Sequence, residues 1–113
     1  MKVHSVDFNA KKILKKDEEE IKRFRKETNL TNIIYFFFTK RGKCTYIGES
    51  KKSLNHRCFK NTPPHIEKSW FKRCNNVVIL KLDDDISDIA RHTIEQVFIL
   101  SYKASGHRLN NLK

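Results

Sequence analysis

Six consecutive apolar residues, Ile33-Ile34-Tyr35-Phe36-Phe37-Phe38, are followed by a short polar break, Thr39-Lys40-Arg41-Gly42-Lys43, and then by Cys44-Thr45-Tyr46-Ile47-Gly48. A run rich in β-branched and aromatic residues, bounded by a glycine-containing turn and a second such run, reads as a β-hairpin. With Thr39 to Gly42 as the loop, Phe38 pairs with Lys43. The same antiparallel register sets Tyr35 directly opposite Tyr46. Opposed residues share one face of a sheet, close enough for their side chains to act together. Two phenols side by side on a rigid strand pair suggest a reaction centre more than packing.

The 113 residues leave room for one modest core. Lys plus Arg number 24 against 13 Asp plus Glu, a formal charge of +11, and the sequence pI is near 9.8. That excess favours a polyanionic partner, of which nucleic acid is the commonest. The apolar run at Ile33 is far too short to span a bilayer. No apolar segment follows the first lysines as a signal peptide requires. The expectation is a soluble, intracellular protein, cytoplasmic or in the nucleoid or nucleus, without a membrane partner. Cys44, Cys58 and Cys74 are odd in number and widely spaced. They fit reduced, partly buried thiols better than a disulfide framework or a zinc knuckle.

Residues 1–31 read as a basic helical arm, with Asp17-Glu18-Glu19-Glu20 in a first turn and Lys22, Arg23, Arg25 and Lys26 toward the end, an order that suits the helix dipole. Residues 32–113 read as the main domain. After the hairpin, a short helix spans Ser53 to Lys60. Pro63-Pro64 interrupts it, and Pro64 opens another helix from His65 to about Arg73. Val77 to Leu82 is a third strand. Asp85 and Asp88 resemble the start of a last helix, which carries Ile86, Ile89, Ala90, Ile94, Val97 and Phe98 and ends near Tyr102 to Gly106. The expected fold is α+β, a small, mostly antiparallel three-stranded sheet flanked by helices.

On that last helix Glu95 stands at the edge of the apolar stripe. It is either half exposed beside Arg91 or aimed into a cleft. Arg57 poses the same choice between a solvated base and a fixed cation for phosphate.

The ordered set Ile34-Tyr35, Tyr46-Ile47-Gly48, Arg57, Glu95 and Asn110 resembles the GIY-YIG nuclease superfamily over residues 32–111. Ile33 stands where the family has its first glycine, and Asn61 stands four residues after the arginine where many members carry histidine or lysine. His56, Lys60 and His65 are the substitutes nearby, and Asn111 competes with Asn110. The resemblance implies a divalent-metal-dependent endonuclease, with a catalytically inactive nucleic-acid- or protein-binding module as the alternative. It implies Tyr35 and Tyr46 as paired catalytic phenols, Arg57 on the scissile phosphate, Glu95 as ligand to a single Mg2+ or Mn2+, and Asn110 as a brace.

The chemistry is consistent with those roles. A free phenol has a pKa near 10, and nearby cations such as Lys43, Arg57 or the metal favour the phenolate, Tyr35 being the first choice as base. Magnesium keeps much of its water and needs few carboxylates. Lys43, Lys51, Lys52, His56 and Lys60 are the candidates for nucleic-acid contact, and Trp70 and Phe71 could stack on unpaired bases or anchor a helix on the core. DNA is expected ahead of RNA, and a homodimer is compatible with the small size.

Overall fold

The computed structural model describes residues 2–111. It is an α+β fold in which one antiparallel sheet lies between two helical layers. The strands are β1 (Lys2–Asp7), β2 (Ile33–Thr39), β3 (Cys44–Ser50) and β4 (Cys74–Lys81), in the spatial order β1-β4-β2-β3. The helices are α1 (Ala10–Leu14), α2 (Glu18–Glu27) and α3 (Asp88–Ala104). The sheet therefore has four strands, not the expected three. The first residues, expected as a helical arm, supply the extra strand, with Val6 opposite Val77. They also contribute Phe8, Ile13 and Phe24 to the core that contains Tyr35 and Phe37.

β2 is continuously apolar because both of its faces are covered. Ile33, Tyr35 and Phe37 point toward the N-terminal helices and the loops after β3, while Ile34 and Phe36 point toward α3. Phe36 meets Phe98 edge-on, with ring centroids 5.1 Å apart.

α2 follows the expected charge order, and the Asp17 side chain caps it by accepting from the Glu20 N–H. α3 starts later than expected. Ser87, not Asp85, is its cap, accepting from the Ala90 N–H, and Asp88 occupies the first turn. Its C-terminal end is followed by Gly106, at a φ of +93° that suits glycine.

The segment between β3 and β4 departs most from expectation. His56–Lys60 forms a π-helical turn, and the helix expected over His65 to Arg73 is two 3-10 turns, His65–Glu67 and Phe71–Arg73. Lys68 between them is extended, with ψ of 141°. This break lets His65 and Trp70 both reach Tyr46, which one regular helix would not do. Cys44, Cys58 and Cys74 are buried and unbonded to one another. No described helix is long and apolar enough to cross a membrane.

Candidate active site

The two tyrosines share a face by a route different from the expected register. The turn is one residue tighter. The Thr39 N–H donates to the Lys43 carbonyl at 2.9 Å, and Gly42 takes a φ of +83°. That change alone would move Tyr46 to the opposite face of the sheet. A bulge then inserts Thr45, so that Phe38 pairs with Cys44 but Phe37 with Tyr46. The second shift restores Tyr46 to the face of Tyr35. Tyr35 ends opposite Gly48 instead of Tyr46. The two phenol rings lie diagonally, with centroids 6.1 Å apart and planes 27° from parallel.

Gly48 is required there. A Cβ at this position would overlap the ring and hydroxyl of Tyr35. The bulge is held by distant partners. Thr45 Oγ1 donates to the Phe37 carbonyl at 3.3 Å. The Thr45 carbonyl accepts from the Asn110 N–H at 2.7 Å and from Asn110 Nδ2 at 3.1 Å. Asn111 engages the next exposed backbone of β3, accepting from the Ile47 N–H at 3.0 Å and donating to the Ile47 carbonyl. The two asparagines thus divide the work. Asn110 braces the bulge and Asn111 closes the edge strand.

Tyr35 is fully buried, and its hydroxyl lies 2.6 Å from His65 Nε2. Burial, reinforced by Tyr46 and Cys58, raises the Tyr35 pKa well above the ordinary phenol value, against a smaller lowering by Arg57. Arg57 does act in the expected direction on this phenol, but desolvation outweighs it. Burial, with Arg57 and Lys68 adding to it, holds His65 down at about 4. A phenol that keeps its proton donates to a neutral imidazole, which leaves the ring proton on Nδ1. That nitrogen is buried and has no hydrogen-bond partner among the described residues.

Tyr46 is more open. It stacks on Trp70 at 4.8 Å with planes 7° apart, and it meets His65 edge-on at 4.8 Å. Burial and then Glu95 raise its pKa, with Arg57 opposing. Tyr46, His65, Lys68, Trp70, Glu95 and Asn110 line one cleft of about 560 Å³. Tyr35 does not line it.

Glu95 enters this cleft from α3, accepting from Gln96 Nε2 at 2.9 Å, with His92 Nδ1 at 3.4 Å. Burial, together with Glu49, raises its pKa even though Gln96 and His92 oppose the shift. Glu95 is the only carboxylate lining the cleft among the described residues. Arg57 does not line the cleft, but its charge acts on Tyr35, Tyr46 and His65, and its own Nε is buried without a hydrogen-bond partner among the described residues.

The five residues expected on nucleic acid separate. Lys51 and Lys52 are exposed just past β3. His56 and Lys60 flank Arg57, and burial together with Lys52, Arg57 and Lys60 lowers the His56 pKa. Lys43 belongs to a second cleft. Trp70 and Phe71 are both buried, so they anchor the core, and Trp70, stacked on Tyr46, also lines the cleft. Sequence reasoning left His65 unranked, counted Lys68 only among the bases that could track a nucleic-acid backbone, and missed the Thr45 bulge. Pro64 was the only local mark of His65.

No known protein family, curated protein or solved structure matches this chain.

Proposed function

We propose that this chain is a divalent-metal-dependent endonuclease of the GIY-YIG kind, hydrolysing phosphodiester bonds in nucleic acid, DNA ahead of RNA. The observation that carries this reading is a single cleft in which Tyr46, His65 and the half-buried Glu95 converge, with the unpaired guanidinium of Arg57 acting on the same phenols. Phosphodiester hydrolysis needs a base for water, positive charge on the phosphoryl oxygens and help for the leaving oxygen. The cleft holds a candidate for each.

The donor set fits magnesium or manganese better than zinc. No three His, Cys, Asp or Glu side chains gather as a metal cage among the described residues. One hard carboxylate suits an ion that retains most of its water. Glu95, whose pKa is raised by burial with Glu49 adding to it, would hold it. Bound there, the ion supplies positive charge that lowers the pKa of nearby water and phenol.

The roles of the chain's own residues follow from exposure. Tyr46 faces the cleft, so its oxygen takes the proton of the attacking water. Tyr35 is sealed behind His65 and fixes that ring through its hydroxyl. Arg57 carries a planar fork that matches two phosphate oxygens, a geometry lysine lacks, and it acts on Tyr46 without lining the cleft, whose wall supplies Lys68 as its cation. The role of base therefore moves from Tyr35 to Tyr46.

The test is cleavage of plasmid, linear duplex, single-stranded DNA and RNA with Mg2+ or Mn2+. Glu95→Ala and Tyr46→Phe are expected to lose about 10²–10³-fold in rate. Equal rates in these variants and the wild type would overturn the proposal. Tight binding without cleavage on every substrate would favour the binding-only alternative, which the raised pKa values of both phenols also suit.

A further inference from the structure

We infer that the second cleft, beside the first and sharing Asn110 with it, is a phosphate-holding subsite for the nucleic-acid strand that continues past the reaction centre. This rests on the nuclease reading above. The cleft has a volume of about 450 Å³, and its cations come from three separate parts of the chain. Lys43 comes from the β2–β3 turn, Arg73 from the turn before β4, and Arg108 from the segment after α3. No carboxylate lines it. None of the three forms a salt bridge among the described residues, whereas Arg23, Lys81 and Arg91 all do.

Bringing three like charges together costs energy in the free protein, and an anion offsets that cost. Arginine forks match phosphate oxygens in pairs. His107 adds a directed donor. Its Nδ1 accepts the Cys44 N–H at 3.1 Å, which fixes the tautomer with the proton on Nε2. Asn110, which lines both clefts, is tied to β3 by its backbone N–H donating to the Thr45 carbonyl at 2.7 Å. A strand leaving the first cleft across Asn110 meets these cations next. That continuity, with a net charge of +11, favours a nucleic-acid backbone over an acidic peptide.

The experiment measures binding of a short fluorescein-labelled DNA strand by anisotropy in EDTA, over a salt series, so that no cleavage intervenes. The triple variant Lys43→Gln/Arg73→Gln/Arg108→Gln is expected to reduce the slope of log K against log salt by about 2. A control with the same charge change on exposed residues lining neither cleft, Lys15→Gln/Lys22→Gln/Lys26→Gln, is expected to change it far less. In parallel, KM for cleavage of the DNA strand is expected to rise in the triple variant and to hold at the wild-type value in the Lys15/Lys22/Lys26 control. If the two triple variants bind alike, the subsite is overturned, even when wild type cleaves normally. If wild type binds through the three cations but never cleaves, the strand-holding role stands and the nuclease reading falls. Labelled polyglutamate binding as tightly as DNA, with the same dependence on the three cations, overturns the inference in favour of an acidic protein.

Discussion

Arg91 and Arg57 sit on opposite sides of the sheet, and the chain surrounds them differently. Arg91, on α3, is 5% exposed and fully engaged. Its Nε donates to Glu49 at 2.6 Å, one terminal nitrogen to Asp88 at 2.6 Å and the other to Asn32 at 3.3 Å. Arg57, on the π-helical turn, has a buried Nε with no partner and forms no salt bridge among the described residues. A guanidinium satisfied on three sides is a tie between strand and helix. One that is partly buried and unsatisfied carries a cost of about 1–3 kcal/mol that packing does not explain. The contrast separates charge used to hold the fold from charge that, under the proposed function, serves a ligand.

The largest expected effect tests that separation directly. Arg57→Ala should reduce cleavage by about 10²–10³-fold, as loss of one transition-state donor does, while the urea midpoint stays level or rises. Arg91→Ala should do the reverse. It strands Glu49 against the sheet and should cost about 3 kcal/mol of unfolding free energy, the low end for a broken buried pair because Asp88 is exposed. Loss of stability in the Arg57 variant and none in the Arg91 variant would invert the assignment.

His65 lies between these extremes. It is buried and hydrogen-bonded at Nε2, yet its Nδ1 is unpartnered. The unfolded chain takes up a proton on this residue near pH 6.5, whereas the folded protein keeps the ring neutral until about 4. The unfolded state therefore binds more protons between those values, and stability falls as pH drops from about 6.5 to 4. The loss is on the order of 3 kcal/mol. Urea midpoints measured from pH 7 to 4 should show this decline in wild type and a shallower one in His65→Asn. Parallel profiles would mean that the ring is not held neutral by burial.

What could be read from the sequence follows the same division between local and distant causes. β2 and α3 were legible because an unbroken apolar run and a helical stripe are signals carried by neighbouring residues. α2 was legible from its acids-first charge order. β1 was not. Lys2–Asp7 contains only Val3 and Val6 as apolar residues, and Val3 is 66% exposed. Its pairing comes from β4, seventy residues away. The Thr45 bulge carried no glycine to mark it, and the group that satisfies its carbonyl is Asn110. Hence the shared face of the tyrosines was expected for the wrong register. The cations of the second cleft are likewise scattered along the chain and meet only after folding.

Asn110 gives the smallest effect and the finest discrimination. Its backbone N–H and side-chain amide both donate to the Thr45 carbonyl, so Asn110→Ala removes one of two donors and leaves that acceptor satisfied. The stability cost should be about 0.5–1 kcal/mol. Asn111→Ala should cost at least as much, because both the donor and the acceptor of Ile47 lose their side-chain partner. A residue serving the bulge should, like Arg91, show its loss in the urea midpoint and only weakly in the cleavage of a small phosphodiester. If Asn110→Ala instead depresses that cleavage as deeply as Arg57→Ala, with the midpoint unmoved, then the exposed carbonyl oxygen of its side chain faces the substrate. Asn110 would then belong with Arg57 among the groups left free for a ligand.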